Sequence, residues 1–204
     1  MDSIIFDLDG TLWDPVDTVL AAWNNVLEKH RMRKLSRKGL EETMGLQMEE
    51  ISRKLFPDLK NTQRQRLVEE CSLVENKFLE QRGGRLYESV ERVLKELSQK
   101  YKLYIVSNCQ DGYIEAFYKY HKLEKYFEDY ENPGRTGLSK GENIKLIMER
   151  NHLSSPVYVG DTTGDLQAAR LAGIPFVYAK YGFGQVREYE EAIDGFEDLL
   201  KRFL

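Results

Sequence analysis

The sequence has few of the residues that form disulfide frameworks or zinc sites. Among its 204 residues are two cysteines, Cys71 and Cys109, and three histidines scattered along the chain. So few cysteines do not indicate a disulfide scaffold, and a reducing cytoplasm is the default location for such a chain. The histidines show no metal-ligand spacing, so a zinc site built from His and Cys is not expected.

The sequence also lacks long apolar runs and a strong excess of one charge. No apolar stretch approaches the ~20 residues of a membrane-spanning helix, and the opening Met1-Asp2-Ser3 lacks the basic start of a signal peptide. The formal net charge is -4, and no run of Lys or Arg marks a surface for nucleic acid or membrane. These absences predict a globular protein that binds neither nucleic acid nor membrane.

Short apolar segments alternate with helical patterns over most of the chain. Residues 3–7, 103–106 and 157–159 are predicted to form buried strands, each ending at polar residues. Between them apolar residues recur at helical spacing, as in the segment 87–99. Alternating strands and helices predict an α/β fold, a Rossmann-like parallel sheet core with helices on both faces.

The strand pattern is interrupted from residue 15 to residue 83. There apolar residues recur only at helical spacing, which predicts a small all-helical unit. We therefore predict a core of residues 1–14 and 84–204, with a helical cap of residues 15–83 inserted after the first strand. Asp14-Pro15 and Gly83-Gly84 are the predicted hinges. Because ligands of such sheets bind at the carboxyl ends of strands, the insertion is placed to cover the site.

The first candidate site is the string Asp7-Leu8-Asp9-Gly10-Thr11, which follows the first predicted strand. Residues two apart in an extended segment point the same way, so Asp7 and Asp9 can face one crevice. Two close carboxylates repel each other unless a cation lies between them, and magnesium prefers such oxygen ligands. An ordinary strand followed by an Asp-Gly turn is the alternative, but the whole string after an apolar strand favours a functional site.

A second acidic pair, Asp161 and Asp165, lies at the end of another predicted strand. Their spacing of four places both on one face of the helix that follows. Acids at a helix N-terminus also stabilise the helix, so this pair alone is ambiguous. Two acidic pairs at two strand ends together predict a magnesium site formed by Asp7, Asp9, Asp161 and Asp165.

Three further polar residues are candidates for the same site, but only in combination with the two acidic pairs. Ser107 and Asn108 follow a strand and can donate hydrogen bonds to phosphoryl oxygens, although helix capping is the simpler explanation of either alone. Lys140 lies at a predicted helix start, where a cation gains nothing from the helix dipole.

Taken in order, these sites resemble the four motifs of the haloacid dehalogenase superfamily. The matching pieces are Asp7 to Thr11, Ser107, Lys140, and Gly160-Asp161 with Asp165. The stretch 160–173 is similar to the last motif of the phosphoglycolate phosphatase-like branch, and the helical insertion resembles that branch's small cap. Trp13 departs from the pattern, because smaller residues are common at its place in relatives.

The resemblance implies a role for each residue. Asp7 attacks phosphorus and becomes an aspartyl-phosphate, while Asp9 protonates the leaving alkoxide and then activates water. Ser107 and Lys140 bind the transferring phosphoryl group. The implied ligands of Mg²⁺ are Asp7, Asp9 (through its backbone carbonyl), Asp161 and Asp165. An acid at position 9 separates phosphatases from dehalogenases in the family, which argues against dehalogenation.

Thr11, Asn108 and Gly45 are the candidate substrate-binding residues. Gly45 lies in the turn 44–47 between two predicted cap helices, and that turn either points into the crevice or is an ordinary connection.

The resemblance implies a magnesium-dependent phosphatase that acts on a small phosphorylated metabolite, such as phosphoglycolate or a sugar phosphate, as a monomer or homodimer. A phosphomutase on the same scaffold is the main alternative, because a cap that shields Asp7 from water would serve either reaction. A non-catalytic binding module is disfavoured because Asp7 and Asp9 are both present. A P-loop NTPase is disfavoured because no GxxxxGK[ST] string occurs.

Overall fold

The structure is a computed structural model that describes residues 1–204. In chain order the strands are β1 Ser3–Phe6, β2 Trp13–Asp14, β3 Arg85–Leu86, β4 Lys102–Val106, β5 Asp129–Glu131, β6 Pro156–Gly160, β7 Phe176–Ala179 and β8 Glu191–Ile193. The helices are α1 Val16–Lys29, α2 Arg37–Glu41, α3 Met48–Leu55, α4 Asn61–Arg82, α5 Val90–Leu97, α6 Tyr113–His121, α7 Pro133–Thr136, α8 Lys140–Arg150, α9 Thr163–Ala172 and α10 Asp198–Phe203, with a 3₁₀ turn at Glu124–Tyr126. No helix is both long enough and apolar enough to cross a bilayer.

Six strands form one parallel sheet in the order β5-β4-β1-β6-β7-β8. Strand β1 is central, and its Phe6 lies opposite Ile105 on one side and Val159 on the other. All four residues of β1 are buried, as expected for a strand covered on both faces. The predicted α/β, Rossmann-like parallel sheet is therefore confirmed.

The two faces of the sheet bury different sets of side chains. Ile5 packs in a cluster with Ile144 of α8 and Leu166 of α9. On the opposite face, Phe6 belongs to a larger cluster that includes residues of α5, α6 and α10. Successive strand residues point to opposite faces, so β1 contributes to both layers and its carboxyl end is held rigidly between them.

Helices α1 to α4 form the insertion between β2 and β3. Trp23 of α1 is buried and stacks on Phe56, with ring centroids 6.3 Å apart. Strands β2 and β3 pair antiparallel, with Trp13 opposite Leu86, so the chain leaves and re-enters the core side by side. The division into a core of 1–14 and 84–204 and a cap of 15–83 stays a prediction.

Some elements differ from their predicted bounds. Strands β2 and β3 are two residues long and carry no periodic pattern, and the edge strand β5 reads Asp-Tyr-Glu, so none was predicted. The helix predicted over 87–99 begins only at Val90, because Ser89 has a left-handed backbone with φ 63°.

Gly83 follows α4 at the point where the chain returns from the insertion to β3, and its backbone conformation can be tested by substitution. Its φ of 62° and ψ of -168° lie in a region that only glycine adopts readily, and an added Cβ would lie 2.2 Å from the Tyr120 ring. Gly83→Ala is expected to lower the free energy of unfolding by about 1–3 kcal/mol, measured by urea denaturation. The matched control is Gly195→Ala, where an added Cβ meets nothing within 4 Å. Equal stability of the two variants would contradict the predicted strain.

Candidate active site

The polar residues predicted to converge do meet at the carboxyl edge of the sheet. Asp7 follows β1, Ser107 follows β4 and Asp161 follows β6, and all three are buried. Lys140 reaches them from the first turn of α8, whose start is fixed by a capping box between Ser139 and Glu142. The Lys140 ammonium donates to Asp7 Oδ1 at 3.0 Å and to Asp165 Oδ1 at 2.6 Å.

Asp165 is held by donors on both carboxylate oxygens. Its Oδ2 accepts from the backbone N–H groups of Asp161 at 3.1 Å and Thr162 at 2.9 Å, while Oδ1 accepts from Lys140. Thr162 caps α9 by accepting from the Asp165 N–H in return. Asp165 therefore fixes Lys140 and the turn that carries Asp161.

Three carboxylates form a pocket suited to a cation. Oxygen atoms of Asp7, Asp161 and Asp165 lie within 4.8 Å of one another. Asp7 Oδ2 and Asp161 Oδ1 are fully buried without a hydrogen-bond partner in the protein. Buried, unpaired carboxylate oxygens are costly, and a hard divalent cation satisfies them. The donor set, all oxygen with no sulfur or imidazole, fits such an ion.

The loop after β7 closes the site from the side, and the sequence did not predict it. Asp161 Oδ2 accepts from the backbone N–H groups of Phe183 at 2.7 Å and Gly184 at 3.2 Å. An added Cβ at Gly10 would lie 2.3 Å from Asp161 Oδ2, and one at Gly182 would lie 2.4 Å from it. The Gly-Phe-Gly string after a strand was the available signal, because close approach to a carboxylate requires glycine.

Asp9 points away from the three-carboxylate group. Its Oδ1 accepts from Trp13 Nε1 at 2.6 Å, and the Tyr113 hydroxyl lies 3.0 and 3.1 Å from its two oxygens. The Trp13 ring packs edge-on against Phe117 at 5.0 Å, which fixes the indole N–H. Trp13, the departure from the family pattern, therefore orients Asp9. No feature of the sequence singled out Tyr113 among 12 tyrosines.

Burial and mutual repulsion raise the pKa values of the carboxyl groups toward neutral pH. Burial, followed by the charge of Asp165, raises the pKa of Asp7 to about 6 against the opposing effect of Lys140. Burial and the charge of Asp7 raise the pKa of Asp9 to about 7 despite its two donors. Burial opposes the charged form of Lys140, but Asp165 and Asp7 outweigh it and raise its pKa. A carboxyl such as Asp9 can exchange a proton near neutral pH.

Comparison with known proteins identifies the family. The family model described as haloacid dehalogenase-like hydrolase matches residues 4–179.

The chain belongs to the haloacid dehalogenase-like hydrolase family. It is 26% identical over 199 residues to a phosphoglycolate phosphatase of Vibrio parahaemolyticus, covering 88% of this chain and 84% of the relative. It is 28% identical over 186 residues to a phosphoglycolate phosphatase of Synechococcus elongatus, covering 90% and 85%. The crystal structure of a predicted phosphoglycolate phosphatase from Haemophilus somnus superposes with a TM-score of 0.88 at 20% identity, covering 100% and 98%. The expected family and hydrolase class are thus confirmed.

A cavity of ≈ 40 Å³ opens beside Asp9 in this haloacid dehalogenase-like fold. Two predicted substrate-binding residues meet at its wall, where Asn108 Nδ2 donates to the Gly45 carbonyl at 3.0 Å. Thr11 lies apart from this cavity: its side chain is buried, and its carbonyl accepts from the Tyr181 hydroxyl at 2.9 Å.

Glu75 of α4 also lines this cavity, and helical periodicity gave no reason to expect it there. Its side chain is buried and accepts hydrogen bonds from Trp23 Nε1 and, at 3.1 Å, from Gln110 Nε2. Burial raises the pKa of Glu75 to about 7, against both donors.

The raised pKa of Glu75 predicts a pH-dependent stability. The folded protein binds this proton more tightly than the unfolded chain, so stability falls as pH rises from the unfolded value of 4.5 through about 7. When the pH is raised from 5 to 8, the wild type should lose about 2–3 kcal/mol of its free energy of unfolding relative to Glu75→Gln, which has no proton to lose at this position. Urea denaturation at both pH values measures this loss. Glu69→Gln, an exposed acid on the same helix, is the control. A pH-independent difference between Glu75→Gln and wild type would contradict the shift.

Proposed function

We propose that this protein is a magnesium-dependent phosphatase that hydrolyses a small phosphomonoester through an aspartyl-phosphate on Asp7. The observation that carries this proposal is the state of the Asp7 carboxylate. Lys140 holds Oδ1 at 3.0 Å, while Oδ2 is buried without a partner. A fixed, desolvated carboxylate suits nucleophilic attack. Family membership and relatives named phosphoglycolate phosphatase support the same reaction.

The residues present fit a magnesium ion. Asp7 and Asp161, each with an unpartnered buried oxygen, would hold it together with the backbone carbonyl of Asp9, and Asp165 would support them. When bound, the ion neutralises the charge of the phosphoryl group and orients it toward the nucleophile.

The protein's own residues divide the chemistry into two steps. A carboxylate oxygen of Asp7 attacks phosphorus as the bond to the leaving oxygen breaks, and Asp9 gives that oxygen its proton. Asp9 then takes a proton from water, which attacks phosphorus, breaks the Asp7–phosphorus bond and releases inorganic phosphate. Lys140 stabilises negative charge on the phosphoryl group, and Ser107 and Asn108 hydrogen-bond its oxygens.

The helical insertion acts as a cap in this proposal. Residues 15–83 cover the crevice of a core formed by 1–14 and 84–204, with the β2–β3 pair at the junction. Contact between the two parts occurs close to the chemistry, because an added Cβ at Gly45 would lie 2.9 Å from Thr162 Cγ2. Closure over a bound ester excludes bulk water from the phosphoryl group.

The first test measures phosphate release from a panel of phosphomonoesters. Release should require Mg²⁺, stop with EDTA and fall at least about a thousandfold in Asp7→Asn, because no nucleophile remains. Asp58→Asn, an exposed acid of the insertion, should behave as wild type. Release that survives Asp7→Asn in a clean preparation would overturn the assignment of the nucleophile. Slow release that speeds up with a bisphosphate activator would identify a phosphomutase instead.

The second test concerns Tyr113, which positions Asp9. Tyr113→Phe removes a hydroxyl 3.0 Å from Asp9 Oδ1 and should lower kcat about tenfold for alkyl phosphates, whose leaving oxygen needs a proton. With 4-nitrophenyl phosphate, whose leaving group needs no proton, the first step should change much less, and burst kinetics measure it. Tyr120→Phe, on the exposed end of the same helix, is the control. Equal losses with both substrates would show general damage rather than misplaced Asp9.

A further inference from the structure

The cavity beside Asp9 lies where the leaving group must be. In the proposed reaction Asp9 gives its proton to the leaving oxygen, so the rest of the leaving group extends past Asp9. The cavity begins at Asp9, and Glu75 and Trp23 contribute to its wall. The charge and polarity of the residues in this wall therefore select the leaving alcohol of the substrate.

The wall carries two carboxyl groups and no positively charged side chain. Its 15 lining residues include the carboxyls of Asp9 and Glu75 but no Lys, Arg or His, and nine are hydrophobic. Lys140 is already held by Asp7 and Asp165. A carboxylate on the leaving group would be buried beside Glu75 without a counter-charge, which is costly.

Glu75 is held as a fixed acceptor. Trp23 donates to Oε2 and Gln110 donates to Oε1 at 3.1 Å, which leaves each oxygen with further capacity to accept. Gln110 is itself fixed, because its amide also donates to Asn76 Oδ1 at 3.0 Å. A hydroxyl or ammonium on the ligand can complete this arrangement, whereas a ligand without a donor leaves it incomplete.

The size of the cavity limits the leaving group further. The cavity has a volume of ≈ 40 Å³. This volume suits a short alcohol better than a nucleoside.

We propose that Glu75 makes this enzyme selective for phosphate esters of short alcohols that carry a second hydroxyl or an amine, and that it excludes esters whose leaving group carries a carboxylate. This inference rests on the proposed phosphatase function, and it places 2-phosphoglycolate among the poor substrates.

Four esters of similar size test the selectivity: 2-hydroxyethyl phosphate, 2-aminoethyl phosphate, n-propyl phosphate and 2-phosphoglycolate. For the wild type, kcat/KM for the hydroxyethyl and aminoethyl esters should each exceed that for 2-phosphoglycolate at least about tenfold, with n-propyl phosphate below both. This series tests the proposal whether or not a Glu75 variant folds. A wild type that prefers 2-phosphoglycolate would overturn it.

Glu75→Gln replaces the carboxyl group with an uncharged amide of nearly the same shape. The preference for the hydroxyethyl ester over 2-phosphoglycolate should shrink at least about tenfold, while Glu69→Gln leaves it unchanged. An unchanged preference in Glu75→Gln would overturn the role of Glu75. If no ester is hydrolysed, 4-nitrophenyl phosphate included, both this inference and the phosphatase function fail. Turnover with a different order of preference overturns this inference alone.

Discussion

A single buried lysine joins the elements that meet at the carboxyl edge of the sheet. Lys140 begins α8, Asp7 follows β1 and Asp165 lies in the first turn of α9, so the two ion pairs of Lys140 join the central strand to two helices of one layer. Removing one partner of such a group leaves a buried charge uncompensated. Three carboxyl groups, those of Asp7, Asp161 and Asp165, face the single ammonium group of Lys140. The excess of carboxyl groups makes the site suited to a cation.

The fold was predictable where burial dictates the residue pattern. Strands β1, β4 and β6 are mostly apolar because both faces of the sheet are covered, and each is followed by a polar residue at the carboxyl edge of the sheet. The strands that escaped prediction, β2, β3, β5 and β8, are two or three residues long. Strand β5 is partly exposed at an edge of the sheet, and β2 and β3 are defined only by their pairing with each other.

In the candidate site, too, the residues related by local spacing could be predicted, and those that meet through tertiary packing could not. Asp7, Asp9, Asp161 and Asp165 could be predicted because strand and helix spacing bring each pair together locally. Tyr113 meets Asp9 across 104 residues, and Gln110 meets Glu75 across 35, so their roles arise from the packing of α4 and α6. No local spacing rule contains that information.

The antiparallel pair of β2 and β3 has an evolutionary consequence. Because Trp13 lies opposite Leu86 and Asp14 opposite Arg85, the two ends of the inserted segment are neighbours at one place on the core. A segment whose ends meet can be lengthened, shortened or exchanged without disturbing the register of the parallel sheet. The insertion can therefore diversify while the core, with its carboxylate group at the sheet edge, is kept intact. A fold built this way can exchange its whole insertion at a single junction.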